Sequence, residues 1–270
     1  MAVLCRKLFV TRAGYYAWKK RQTSERSLNN EALLKKILEV HQQSRETYGY
    51  PRVHAVLKKQ GESCGRNRIA RIMRDFGIKA RMAKRFRKHS HRHHLIRDPR
   101  NMLLGREPEE RINEVWVCDV TYVRVARDWN YLCTVMDRYS RKIVGWHFAK
   151  SLNAHLAMEA VHMAVQQQQP KPGLVFHTDR GIEFANKEFK ALMDQHGMQI
   201  SKSRKGCCWD NANMESFYHT LKTEMIYFHR FKDIVDALAH IMDYIRFYNN
   251  DRLHSSLNYE SPATYEAMAA

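Results

Sequence analysis

The chain lacks any apolar run near the ~20 residues that a membrane span needs. Its opening, "MAVLCRKLFV", holds too short an apolar stretch for a secretory signal. Six cysteines are present (Cys5, Cys64, Cys118, Cys133, Cys207 and Cys208), but none form a C-x-x-C pair. That spacing excludes the usual zinc sites, and no disulfide framework is indicated. They read as reduced thiols in a cytoplasmic protein. Internal repeats and long low-complexity tracts are also missing; "QQQQ" at 166–169 only frays a helix end. Between Lys79 and Arg97 there is not one acidic residue.

What is present is a foldable and lopsided chain. Its 270 residues are 44% hydrophobic, with 13 Tyr, 11 Phe and 5 Trp, enough for a sizeable core and more than one domain. The net charge of +18 is unevenly placed. Residues 1–110 hold 27 Lys and Arg against 10 Asp and Glu, a net of +17; residues 111–270 hold 19 against 18, a net of +1. Solubility alone would spread the charge. A basic arm on a near-neutral body points to a polyanion, and to nucleic acid first, because Lys and Arg neutralise its phosphates.

Residues 1–78 read as a helical DNA-binding region. Within it, about 30–78 form three helices: Glu31–Gln43, one opened by Pro51, and one starting between Ser63 and Arg66. In the last, Ile69, Ile72 and Met73 face inward while Arg66, Arg68, Arg71 and Arg74 face out. That resembles a helix-turn-helix reader, with Arg66, Arg68 and Arg71 as DNA contacts; an ordinary basic hairpin has the same pattern. Residues 79–110 read as a basic linker in which Lys84, Arg85, Arg87 and Lys88 track phosphates. His89, His91, His93 and His94 lack companion Cys or acids, so a tether fits better than a zinc site.

The pattern changes at Asn113. Three Val-, Ile- and aromatic-rich runs ("EVWVCDVTYVRV", "NYLCTVMDRYS", "KIVGWHFAK") predict an antiparallel meander. A helix capped by Asn153, a strand "GLVFHT", a helix ending at Gly197, a strand "MQISKS" and two long helices follow. The fold class is α/β: one mixed five-stranded sheet flanked by helices over 111–270.

Two carboxylates are out of place. Asp119 lies mid-strand, where Asp is depleted and an unpaired carboxylate is costly. Asp179 ends the fourth strand, where open α/β sheets keep ligands, although an Asp before Arg-Gly also makes a turn. If strands one and four are neighbours, the two acids meet, and oxygen-only ligands favour Mg²⁺ or Mn²⁺. A helix starting near Asp210, capped by Asp210 or Asn211, places Asn211, Glu215, His219 and Lys222 on one face. Glu215 is then the third carboxylate and Lys222 a phosphate holder. Glu183, Asp210 and Glu224 compete with it.

Asp119, Asp179, a gap of 35 residues to Glu215, and Lys222 seven further on are similar to the signature of transposases and retroviral-type integrases with an RNase H-like core. "SRETYGYPRVHAVLKKQG", "WVCDVTY", "HTDRGIEFAN", "KGCCWDNANMESFYHTLKTE" and "YNNDRLHSSLNYESPATY" resemble the second-frame (OrfB) transposase of the IS-three class of bacterial insertion sequences. Thr178 and Glu183 depart from the Ser and Gln often found there. The resemblance implies metal-dependent cleavage at element ends and strand transfer, with two ions held by Asp119, Asp179 and Glu215 and Asn211 and Lys222 beside the DNA. It implies duplex DNA as partner, at terminal repeats and target, a homo-oligomer joining two ends, and an upstream first-frame product or fusion. The setting is the bacterial cytoplasm at the nucleoid, with no membrane. Two other readings stand at this stage: a nuclease of the same fold that cuts without joining, and a non-enzymatic DNA-binding regulator.

Overall fold

The computed structural model describes residues 1–22, 24–82, 98 and 100–269. Lys84, Arg85, Arg87, Lys88 and the histidines of the basic linker lie outside them. The chain divides into two compact units, Met1–Ala80 and Arg81–Ala270.

The first unit is all helical: α1 (Ala2–Lys7), α2 (Arg12–Lys20), α3 (Glu25–Gln43), α4 (Tyr50–Lys59) and α5 (Arg66–Asp75). Its core joins Leu33, Ile37 and Val40 of α3 to Val53 and Leu57 of α4 and Ile69, Ile72 and Met73 of α5. The inward stripe expected for α5 is therefore present. α3 begins six residues before the expected Glu31. Its polar first turns carry no apolar stripe, and Ser24, accepting the Ser27 N–H at 3.3 Å, starts the helix instead. Arg66, Arg71 and Arg74 are exposed, whereas Arg68 is half-buried and donates from Nε to Asn30 Oδ1 at 2.9 Å.

In the second unit, β1 (Val115–Val125), β2 (Asp128–Asp137) and β3 (Ile143–Ala149) form the antiparallel meander. α6 (Ala154–Gln168) leads to β4 (Val175–Thr178), α7 (Lys187–Gln195) and β5 (Gln199–Lys202). α8 (Ala212–Glu224), α9 (Ile234–Asn250) and α10 (Pro262–Ala269) complete it. The sheet order is β3-β2-β1-β4-β5, with β4 parallel to both β1 and β5.

Strand alternation sends side chains to two cores. Trp116, Cys118, Val144 and Phe176 pack under α6 and α7, while Val115, Val117, Val123 and Leu132 pack under α8 and α9. Gly145 is required where α6 crosses β3, because a Cβ there would overlap the Ala160 carbonyl oxygen. β4 pairs with β1 only over Val115–Val117, and the carboxylates lie just beyond that short pairing.

Candidate active site

The parallel register pairs Val115 with Val175 and Val117 with His177. Two residues further on, the same register brings Asp119 and Asp179 level where β4 ends. α8 is held against this point by its own residues. Asn211 Nδ2 donates to the Cys118 carbonyl at 3.0 Å, and Tyr218 Oη donates to the Asp119 carbonyl at 2.5 Å. Tyr218 also accepts from Thr134 Oγ1 at 2.8 Å, which ties α8 to β2. Glu215 lies between these two anchors. As a result Asp119, Asp179, Glu215 and Asn211 line one cavity of about 520 Å³, together with Ser203, Arg180, Arg204 and Lys205.

Asp119 is mostly buried, and burial is the main reason its carboxyl is pushed up to about 7. The Val120 N–H, donating at 2.8 Å, opposes that rise; the charges of Asp179, Glu183 and Glu215 add to it. Asp119 has no ion-pair partner among the described residues. Asp179 does form the turn that its sequence context suggested: its Oδ1 accepts from the Gly181 N–H at 2.8 Å. The turn and the cavity are compatible, since a carboxylate keeps further lone pairs.

Asn211 holds the cap position of α8 but does not cap it with its side chain. It is buried, and its Oδ1 has no partner among the described residues. A buried carboxyl that resists ionising and an unsatisfied amide oxygen in the same cavity are what a hard divalent cation relieves, so the oxygen donor set fits Mg²⁺ or Mn²⁺. Among the described residues, no three acids, His or Cys stand as placed in an arrangement that could hold a metal ion.

The competing acids have different surroundings. Asp210 is engaged by Arg204 at 2.8 Å and by Asn101 Nδ2 at 2.7 Å. Glu224 is buried against Arg252 (2.7 and 2.9 Å) and accepts from Tyr244 Oη at 2.9 Å. Glu183 is buried next to Gly181; burial first, then Asp179, raises its carboxyl, and its charge reaches Asp119. Lys222 stands apart from the carboxylate cavity and lines a neighbouring cleft, although the Asp119 charge reaches it. His219, on the same helix face, is exposed. Sequence reasoning missed Tyr218 and Arg204. The available signal for Tyr218 was its position three residues after Glu215, since a buried phenol seeks a hydrogen-bond partner.

A mixed five-stranded sheet with one acid within its central strand β1 and one just past the end of the adjacent β4, joined by a third from a following helix, defines an integrase-type core. Integrase core domain families match residues 109–208 and 196–262, and an HTH-like domain matches residues 28–86. The chain is 33% identical to the transposase InsF for insertion sequence IS3A of Escherichia coli (strain K12), across 97% of this chain and 92% of that protein. It is 36% identical to a 31 kDa protein of insertion element IS600 from Shigella sonnei, across 99% of this chain and 100% of that one. A simian T-cell lymphotropic virus intasome, solved in complex with PP2A regulatory subunit B56 gamma, shares the fold. It has 13% identity, covers 85% of this chain and 74% of its own, and has a TM-score of 0.52. The chain belongs to the IS3 family of insertion-sequence transposases, enzymes with an integrase catalytic core. Of the described helices, none is long and apolar enough to cross a membrane.

Proposed function

We propose that this transposase cuts DNA at the ends of its insertion sequence and joins the freed 3′-OH to target DNA, using Asp119, Asp179 and Glu215. The observation that supports this most is the meeting of three carboxylates, from β1, the end of β4 and α8, in one cavity that also holds Arg180, Arg204 and Lys205. Acids alone would repel a phosphodiester; acids with cations beside them suit a phosphate and its counter-ions. Two divalent cations, when bound by Asp119, Asp179 and Glu215, supply positive charge at the attacking and leaving oxygens of an in-line displacement. The protein's own task is placement. Asn211 and Tyr218 hold the α8 carboxylate beside β1, and Lys205 orients the phosphate, while Arg180 and Arg204 are paired with Asp98 and Asp210. Water attacks phosphorus in the first step and the 3′ oxygen leaves as 3′-OH. In the second, that 3′-OH attacks a target phosphodiester, forming one ester bond as another breaks, so no protein nucleophile is needed.

The exposed Arg66 and Arg71 are the DNA contacts of the helical unit. Arg68 serves DNA less directly, since Asn30 already engages it. Lys84, Arg85, Arg87 and Lys88 supply charge for the DNA backbone, and Lys222 holds a phosphate leading to the site. Synapsis of two ends requires a homo-oligomer, with an upstream first-frame product contributing to recognition of the terminal repeats. The work takes place on the bacterial chromosome, in the cytoplasm.

The test is DNA carrying the element's end, incubated with Mg²⁺, Mn²⁺ or EDTA. Metal-dependent nicking at the end plus joined product, both lost in Asp179→Asn, is the expected result. Nicked product that is never joined marks a nuclease and overturns the strand-transfer half. Unchanged cleavage in Asp179→Asn overturns the site.

A further inference from the structure

A second cleft, of about 670 Å³, lies along β1 and the end of α8, and the catalytic reading leaves most of it unused. Its lining includes Tyr122, Arg124, Trp129, Tyr131, Lys222 and Tyr227, with no acid. Tyr122, Trp129 and Tyr227 are 53%, 57% and 52% exposed, so these rings do not form core. They are nonetheless ordered against one another. Tyr122 meets Trp129 edge-on at 6.3 Å and Tyr131 at 5.3 Å, and the Arg124 guanidinium sits 5.9 Å from the Trp129 ring. Exposed aromatics gathered in one place mark an interaction site.

We propose that this cleft is a stacking site for an unpaired nucleotide of the DNA strand that enters the carboxylate cavity. Three features select that occupant. The rings offer flat faces, which suit a base and are sequence-tolerant, because every base has a π-face. Arg124 and Lys222 supply charge for the adjoining phosphates. The volume lies in the range of small-ligand pockets, about 300–1,000 Å³.

The position fits through α8. Tyr122 is three residues beyond Asp119 on β1, so strand alternation turns its ring to the opposite sheet face. Lys222 links the two places, since it lines the cleft while the Asp119 charge acts on it. A base still stacked in duplex has no free face to give, so the occupant must have left the helix. The inference rests on the catalytic reading only for the origin of the strand.

The test uses the full chain, in EDTA, with two labelled probes. One is a blunt duplex; the other is the same duplex with a five-nucleotide single-stranded 3′ tail bearing one 5-iodouracil. Irradiation of the tailed probe should crosslink to Tyr122, Trp129, Tyr131 or Tyr227. Trp129→Ala should reduce the preference for tailed over blunt DNA by about fivefold or more, the low end of one base–aromatic stack. Trp129→Phe should keep most of that preference. Because Trp129 is exposed, the circular dichroism of both variants should match the parent. Crosslinks that map elsewhere, or an unchanged preference in Trp129→Ala, overturn the proposal. So does a self-association that Trp129→Ala abolishes without altering tail preference, which would make the cleft an interface between copies. Asp179→Asn should keep the tail preference. Its cleavage reports on the catalytic reading separately.

Discussion

Glu215 and Glu224 lie on the same helix, α8, about two and a half turns apart. Glu215 faces a cavity shared with Asp119, Asp179 and an unsatisfied amide oxygen. Glu224 is sealed from solvent, gripped by the Arg252 guanidinium through both oxygens and by the Tyr244 hydroxyl. At one end of the helix negative charge is gathered with no guanidinium on Asp119. At the other, a single carboxylate has a full set of donors. Arg252 is held above its usual value by that pair, against the burial that would lower it. The Glu224 pair builds structure here, and at the other end the buried Asp119 carboxyl, with no ion pair among the described residues, is the group a cation would relieve.

The largest expected effect tests the cavity end. Asp179→Asn should lower cleavage and joining by roughly a thousandfold or more, several kcal/mol of lost transition-state stabilisation, with thermal melting almost unchanged. Arg252→Met should do the opposite. It leaves Glu224 buried without its cation, and calorimetry or denaturant melts should show a loss of about 3–5 kcal/mol. If Arg252→Met melts like the parent while Asp179→Asn unfolds, the contrast between the ends is wrong.

A third measurement sharpens the comparison through pH. Asp119 has a folded value raised to about 7 from 3.8. Between these values the unfolded chain has released the proton that the folded chain retains, so the metal-free protein loses stability as pH rises through that window. Asp119→Asn lacks this penalty. In EDTA its melting temperature should exceed the parent's by on the order of 5 °C at pH 8, and the gap should close towards pH 4. Added Mg²⁺ should raise the parent more than the variant. The smallest effect concerns Lys222, which lines the aromatic cleft. Lys222→Ala should weaken DNA binding severalfold and reduce the salt slope by about 1, as for one lost phosphate contact.

The sheet and its carboxylates were legible because they break local rules. A mid-strand Asp and an Asp at a strand end are visible against Val and Phe, and strand adjacency then places them together. Much of what surrounds them was not legible. Asn211 reads as a helix cap, but it reaches back to the Cys118 carbonyl, a long-range contact that no local pattern encodes. Lys222 shares a helix face with Glu215 yet lines a different cleft, because helical periodicity does not say where the cavity ends. α1 and α2 bury nothing beyond Cys5, and at six and nine residues they are too short to say from sequence which face a core would take. Arg252 lies within "YNNDRLHSSLNYESPATY", where nothing local points to its partner, which is 28 positions back in the chain.

The Arg252–Glu224 pair also bears on when the enzyme becomes dangerous to its host. Domains fold as they emerge, N-terminal parts first. Until residue 252 has left the ribosome, the far end of α8 carries a carboxylate with no guanidinium to enter the interior with. Docking of that helix, which brings Glu215 to the strand ends, is therefore favoured only late in synthesis. A nascent or truncated chain can already present its basic helical unit to DNA while its cutting site is unassembled.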